Sequence, residues 1–551
     1  SSFGRRVWTS STVSGCVLRP GPRSIAAVAV SAQKTTAGQF ALSVAELSTG
    51  VFWVSEFESG QGSQLADEIA RVDPQELLVP NSLPTIVADR LRALGARLRF
   101  IKEADSLDAG RAQQLLLAHF RVASLEGFGC HQLTAGLLAA GTILSYLRAT
   151  QPGTSLAHLS RLQHRTHGST MHMDCTTMTT LELVRTQGSD QQHDTHTLLA
   201  TLDRTAAPMG HRLLREWITQ PLVDVDPIRH RQDAVGELCK APQLRHALRE
   251  LFGKILDLPR LGSRIGMKVA TPRDLHALHG SLEVLPKVKH HLNTCTTDLL
   301  VELLQSWDDL SDVASNIHHA IRQEAPPTTR EGDIFKDGWD PQIDELRKTC
   351  REGRTWILEL EARERAASGI DSLKIRFNQV FGYYIEITKT RLAKAPSHYI
   401  RKQTLTNAER FTTPELKRLE DQVVGAETRL ISLEAARFEE FRASLAPQTS
   451  RLLAMAQKVA TLDVLLSFSE VALAHRYIKP DVTKSGAIEI LDGRHPVVER
   501  HLVGDRFVPN DTLLNLDDHR ILVLTGPNMA GKSTYLRKVG LIVLMAQIGS
   551  F

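Results

Sequence analysis

Two runs of helical periodicity dominate what this chain can become. Residues Ile343–Ser368 ("IDELRKTCREGRTWILELEARERAAS") and Pro414–Leu445 ("PELKRLEDQVVGAETRLISLEAARFEEFRASL") each read as one long helix. In the second, Leu430, Leu433, Phe441 and Leu445 lie near one face, and Thr413 before Pro414 offers an N-cap and a first-turn proline. Between the runs, "SLKIRFNQVFGYYIEITK" alternates. Leu373, Ile375 and Phe377 interleave with Lys374, Arg376 and Asn378. After a turn near Phe381–Gly382, Tyr383, Ile385 and Ile387 interleave with Tyr384, Glu386 and Thr388. Period two in both arms predicts a hairpin with one apolar and one polar face. Two long rods bracketing a β insertion describe a lever with something at its tip.

Charge gathers at that tip. From Lys374 to Arg410 there are eight basic residues (Lys374, Arg376, Lys389, Arg391, Lys394, Arg401, Lys402, Arg410) against Glu386 and Glu409, a net +6 where the whole chain carries only +4. Clustered cations of this kind can neutralise phosphates without reading sequence, although an ordinary solvated strand face has the same pattern. Whole-chain electrostatics commits to no partner, so any polyanion surface must be local.

At 551 residues the chain is too long for one core, and about three to five domains are expected. Its 42% hydrophobic and 23% charged content is that of globular proteins. The six cysteines (Cys16, Cys130, Cys175, Cys239, Cys295, Cys350) are scattered, with no C-x-x-C, which fits reduced thiols in a cytosolic protein better than a disulfide framework or zinc ribbon. No uninterrupted apolar run reaches the roughly 18–20 residues of a membrane span. "RPGPRSIAAVAVSA" (Arg19–Ala32) mimics a signal peptide, yet its apolar stretch is short and reads better as a buried strand.

"SIAAVAV", "FALSVAEL" and "VFWVSEF" read as strands, followed by helical "QLADEIARV" and then "ELLVP", a small α/β domain. Helical patterns dominate from about Ala112 to His318, with turns at "QPGT" and "TAAPMG" and no short repeat. The tract "HRTHGSTMHMDC" (His164, His167, His172) has no helical i, i+4 ligand pair and reads as a solvated connector.

The last motif is the most specific. Gly526-Pro527-Asn528-Met529-Ala530-Gly531-Lys532-Ser533 satisfies G-x-x-x-x-G-K-[ST]. "RILVL" (Arg520–Leu524) before it reads as a buried parallel strand, and "STYLRKVGLIVLMAQI" after it as a helix, with Leu536, Val539 and Val543 at helical spacing. The glycines let backbone N–H groups close round phosphate oxygens, Lys532 reaches terminal phosphates, and the Ser533 hydroxyl suits Mg²⁺. A hydrolase of this type also needs a carboxylate on a second strand, and no residue after Ser533 is Asp or Glu. The loop alone fits kinases, motors and switches equally.

The loop resembles that of the MutS DNA mismatch-repair ATPases, whose Pro-Asn-Met interior it shares. "FGYYIEITK" (Phe381–Lys389) and "YIRKQTLTNAERFTTPELKRLED" (Tyr399–Asp421) resemble that family's clamp. "LLATLDRTAAPMGHRLLREWITQPL" (Leu198–Leu222) resembles its core signature, and "ALSVAELSTGVFWVSEFE" (Ala41–Glu58) its connector. The similarity runs from about Ser24 onward and is nearest the bacterial mismatch-repair branch. It implies a multidomain α and α/β protein: 1–23 a remnant of the N-terminal mismatch-binding domain or a linker, 24–115 connector, 116–371 core and lever, 372–425 DNA clamp, 426–478 lever return, and 479–551 the start of a P-loop ATPase domain.

What the resemblance implies about function is specific. A homodimer encircles double-stranded, mismatched DNA, and ATP with Mg²⁺ converts it to a sliding clamp that recruits downstream repair factors, in the bacterial cytoplasm on the nucleoid. Lys374, Arg376, Arg401, Lys402, Asn407 and Arg410 are the implied DNA contacts. Gly526 to Ser533 and Thr534 would hold the nucleotide, Ser533 the Mg²⁺, and Phe507 in "DRFVPND" the adenine. The family's mismatch-reading Phe-x-Glu has no counterpart in residues 1–23, and Phe438-Glu439-Glu440 fits the letters only by chance inside a helix. Without an initiator methionine, and ending in a helical pattern short of the carboxylate strand, the chain reads as a fragment. A DNA-structure-binding scaffold of the same superfamily and an unrelated P-loop kinase are the competing readings.

Overall fold

The first strands carry apolar residues at successive positions, so a sheet built from them needs cover on both faces. The computed structural model describes residues 24–551 other than 31–39, 59–60, 82, 94–97, 102–106, 152–155, 167, 187–194, 379–381, 405–406, 503–506 and 528–529, and it supplies that cover. Strands β1 (Ser24–Val30), β2 (Phe40–Glu46) and β3 (Val51–Phe57) form an antiparallel meander. β4 (Glu76–Val79) runs parallel to β1, β5 (Leu98–Phe100) parallel to β4, and β6 (Gln163–His164) parallel to β3, giving the order β5-β4-β1-β2-β3-β6. Phe40, Leu42, Val44, Trp53 and Phe57 pack with residues of helices Gly62–Val72 and Thr85–Ala93. Ala45, Phe52 and Val54 pack on the other face with residues of helices Ala109–Phe120 and Ala135–Thr150.

The expected α/β arrangement is thus present, with "SIAAVAV" an inner strand paired on both sides. Residues 1–23, His167 and most of the "QPGT" turn lie outside the described residues. His164 corrects one expectation. Its backbone joins the sheet through β6, with the Arg165 N–H donating to the Val54 carbonyl at 2.8 Å, because edge pairing needs no apolar side chain. The described cysteines Cys130, Cys175, Cys239, Cys295 and Cys350 are free thiols.

The chain divides into two compact units, Ser1–Met267 with Lys287–Asp308 and Thr449–Phe551, and Lys268–Pro286 with Asp309–Gln448. In the first, the helix Thr449–His475 is surrounded by Pro208–Thr219, Val225–Lys240, Pro242–Phe252 and Leu258–Gly266. Within Pro414–His475 one 18-residue window is apolar enough to span a membrane, at mean hydropathy 1.4, and 72% of it is buried inside the protein, as a core helix requires. Its polar exceptions have defined work. Asp463 is fully buried and accepts the backbone N–H groups of Ala206 (2.9 Å) and Ala207 (2.8 Å). One turn on, Ser467 donates to the Leu202 carbonyl (2.8 Å) and accepts from the Arg204 N–H (2.6 Å). The pair therefore satisfies the "TLDRTAAP" turn, and Gly210 is required there because a Cβ would stand 2.2 Å from an Asp463 oxygen.

In the second unit the helices Pro341–Ser368 and Pro414–Leu445 lie against each other, close to the predicted bounds, with the Thr413 hydroxyl accepting from the Leu416 N–H. The buried stripe of the second is Leu416, Glu420, Val423, Ala426, Glu434, Phe438, Phe441 and Leu445, so Leu430 and Leu433 are only half-buried. Glu434, fully buried, meets the Arg347 guanidinium at 2.5 Å, and Arg347 also donates to the Phe335 carbonyl (2.8 Å) and to Asp337 (2.9 Å). Phe438 is fully buried, as expected for a chance Phe-x-Glu match. The predicted hairpin is β7 (Lys374–Asn378) with β8 (Gly382–Thr388), and it belongs to a four-stranded sheet, β7-β8-β10-β9, completed by β9 (Ile400–Thr404) and β10 (Ala408–Thr412).

Burial raises the Asp463 pKa to about 6 against the pull of the Ala206 and Ala207 N–H groups. A carboxyl raised on folding contributes stability that is complete below its unfolded pKa near 4 and lost as pH rises through about 6, here about 3 kcal/mol. Asp463→Asn should therefore lack that loss between pH 4 and pH 7 in urea melts, and an identical pH profile would contradict the assignment. Glu434→Ala removes the buried partner of the Arg347 guanidinium, leaving it Asp337 and the Phe335 carbonyl, and should cost about 1.5–3 kcal/mol, with Arg347→Met added to Glu434→Leu recovering part of it. Thermal melts within 1 kcal/mol of wild type would refute the pairing.

Candidate functional site

The phosphate-loop motif is followed, as read, by a helix, Lys532–Ile548. Gly531 is its N-cap with φ +84°, a left-handed conformation suited to glycine, and no side chain caps the first turn. Its first N–H groups can therefore serve an anion. Lys532 donates its ammonium across the loop to the Gly526 carbonyl, Ser533 is exposed at the second helical position, and Thr534 is half-buried. The Ala530 N–H reaches the Pro527 carbonyl at 3.4 Å. Asn528 and Met529 lie outside the described residues. Glycine backbone, ammonium and a free-standing hydroxyl at a helix N-terminus are the donor set a Mg²⁺-bound triphosphate needs, so the residues fit that group.

One expectation around the loop is corrected. Residues 520–524 form no strand, and Ile521 is 83% and Val523 77% exposed. A parallel strand is held by neighbours on both sides, and among the described residues no strand pairs with this one. The loop helix also buries Leu541, Leu544, Met545 and Ile548 with Lys538, while Leu536 is 63% exposed and Val539 and Val543 half-buried. Which face is covered was decided by docking. The Gln547 side chain donates to the Leu222 carbonyl (3.1 Å) and the Leu222 N–H to the Gln547 carbonyl (3.2 Å). Arg231, stacked 3.4 Å from the Trp217 ring centre, donates to the Ile548 carbonyl (3.2 Å).

Phe507 is half-buried just before β12 (Asn510–Leu514), which pairs antiparallel with β11 (Ile488–Gly493). That pair is tied to the loop helix. The Tyr535 hydroxyl lies 2.7 Å from the Thr512 hydroxyl and donates to the Asp511 carbonyl at 3.1 Å, and the Lys538 ammonium donates to the Asn510 carbonyl at 2.8 Å. Neither residue was singled out in the sequence. A lysine about one and a half turns into this helix gives no sign of burial.

The six residues read as clamp contacts do not share one face. In register, Lys374 opposes Glu386, Arg376 opposes Tyr384, and Arg410 opposes Glu386, so Lys374, Arg376 and Arg410 lie on the polar face. Arg376 is 3.7 Å from Glu386, and Arg410 stacks 4.3 Å over Tyr384, itself 4% exposed, while donating to Gln403 at 2.8 Å. Arg401 opposes Phe411 on the other face and pairs with the buried Glu409 at 2.8 Å. Between them a bulge leaves Lys402 as the extra residue, half-buried and 3.9 Å from Glu420. Asn407 is exposed before β10 and its carbonyl accepts from the Lys389 N–H at 3.1 Å. The apolar face is Leu373, Ile385, Ile387 and Phe411, packed with Leu360 and Leu416 of the two long helices.

Family models match in three segments: MutS domain II over residues 23–160, MutS domain III over 176–469, and MutS domain V over 522–551. The chain is 43% identical over 510 residues to the DNA mismatch repair protein MutS of Syntrophomonas wolfei, covering 92% of this chain and 59% of that protein. It is 42% identical over 517 residues to its namesake in Alkaliphilus metalliredigens (93% and 58%), and 42% over 515 in Symbiobacterium thermophilum (93% and 58%). The chain thus spans about three fifths of the length of the curated relatives it matches. With the domain III model alone matching more than half of its residues, the chain belongs to the MutS family.

Proposed function

We propose that this chain is the DNA-gripping and nucleotide-binding part of an ATP-dependent mismatch-recognition protein. The observation that carries the reading is its 43% identity, along 92% of its length, to a protein named for DNA mismatch repair. In this reading the whole protein is a homodimer that encircles mismatched duplex DNA in the bacterial cytoplasm and hands it to downstream repair factors. The segments 24–115, 116–371, 372–425, 426–478 and 479–551 serve as connector, core and lever, clamp, lever return and start of the ATPase domain.

Gly526, Pro527, Asn528, Met529, Ala530 and Gly531 wrap the ATP phosphates, with Thr534 in the first helical turn beside them. Lys532 exchanges its bond to the Gly526 carbonyl for a phosphate oxygen, and Ser533 offers its hydroxyl to Mg²⁺, which when bound neutralises phosphate charge. Phe507 stacks on the adenine. Within this reading Gly526 to Thr534 bind and orient the nucleotide, and hydrolysis is an activity of the whole protein. At the clamp, Lys374, Arg376, Arg401, Lys402, Asn407 and Arg410 meet the backbone, and the exposed Lys374 and Arg376 on the outer strand β7 are the least engaged within the sheet.

In the full-length protein, Lys532→Ala should lower ATP turnover by about 10²-fold while nucleotide-free duplex binding is kept. Unchanged turnover would dismiss the assigned role. Lys374→Ala with Arg376→Ala, and separately Arg401→Ala with Lys402→Ala, should each flatten the dependence of duplex affinity on salt by about one unit of slope per lost phosphate contact. An unaltered slope removes that pair from the interface. A mismatch-to-homoduplex affinity ratio near one would favour the structure-binding scaffold.

A further inference from the structure

Lysine is among the residues least often fully buried, yet Lys538 has no exposed surface. Burying an ammonium costs stability unless it is paired, so its partners identify what it holds. Its Nζ donates to the Asn510 carbonyl (2.8 Å) and lies 4.4 Å over the Tyr535 ring. It sits where a Cβ on Gly493, the β11 residue facing Asn510, would come within 3.1 Å. Tyr535 reaches in two directions. Its backbone N–H donates to the Gly531 carbonyl at 2.9 Å, at the end of the phosphate loop, and its hydroxyl bonds Thr512 and Asp511 of β12. Three consecutive residues of β12 are thereby tied to the helix that starts at the loop. Phe507 lies three positions before that strand.

We propose that Tyr535 and Lys538 are positioning residues that hold Phe507 at a fixed offset from the phosphate loop, and so set how much the base adds to nucleotide affinity. This rests on the nucleotide-binding reading above. A ring stacked on a base must keep its offset and tilt to that base, whereas the phosphate contacts come from the loop and the helix N-terminus and not from β12. The lock thus separates a base-reading half of the site from a phosphate-reading half.

The test compares Mg²⁺-ATP with Mg²⁺-tripolyphosphate binding to the full-length protein. Tyr535→Phe keeps the ring under Lys538 and removes only the hydroxyl. It should weaken ATP binding about 3–10-fold, the worth of one or two hydrogen bonds, and leave tripolyphosphate affinity unchanged. Thr512→Val should do the same from the strand side, and Lys538→Met should act alike. In a Phe507→Ala background Tyr535→Phe should have no further effect on ATP. Equal losses for both ligands, no loss for either, or an undiminished effect without Phe507 would overturn the inference while leaving the nucleotide site in place. A wild-type protein that binds neither ligand would instead overturn the nucleotide-binding reading itself.

Discussion

Arg347 and Glu434 bind the two long helices of the second unit to each other, and the basic sheet depends on that pairing. The sheet's apolar face closes over Leu360 of one helix and Leu416 of the other, so it has a complete core only while both helices stay in register. Apolar stripes alone would tolerate sliding. A buried carboxylate whose oxygens meet the Arg347 guanidinium and the Ile334 N–H (3.4 Å) does not, because a one-turn slip would strand both charges. Further out, Glu361 accepts the Ile375 N–H at 2.8 Å and Glu364 the Tyr399 hydroxyl at 2.7 Å, so the helix carboxylates reach directly into the strands.

Much of this was legible because it is local. The helices Pro341–Ser368 and Pro414–Leu445 are bounded by their own caps and prolines, and β1 to β4 by short apolar runs between polar segments, so their limits could be read within a residue or two. What failed was non-local. β9 and β10 went unseen as strands because Arg401 and Glu409 occupy the face that a simple alternation reserves for apolar residues, and a bulge shifts the register between them. The six clamp candidates came from the resemblance to a clamp, and only pairing could sort Lys374, Arg376 and Arg410 from Arg401.

The same distinction governs the nucleotide loop. Its motif and helix are set by adjacent residues, and both stand. The run at 520–524 had the composition of a central strand, but composition does not provide the neighbours that make one, and its side chains remain in water. The covered face of the loop helix was likewise fixed by Leu222, Arg231 and Gln232, far away in sequence, the last donating to the Ala546 carbonyl at 3.3 Å. Lys538 is the sharpest case, since nothing beside it announces that Asn510 and Gly493 will enclose its ammonium.

Under the function proposed above, nucleotide at the Gly526–Ser533 loop controls how the basic sheet holds duplex DNA. The most direct measurement places a photo-crosslinker at position 376 of the full-length protein and follows cross-linking to a mismatched duplex with and without ATP. Efficient cross-linking to the DNA backbone is expected without nucleotide, with a marked change in yield or position when ATP is added. No cross-link under either condition, or an identical pattern under both, would contradict it.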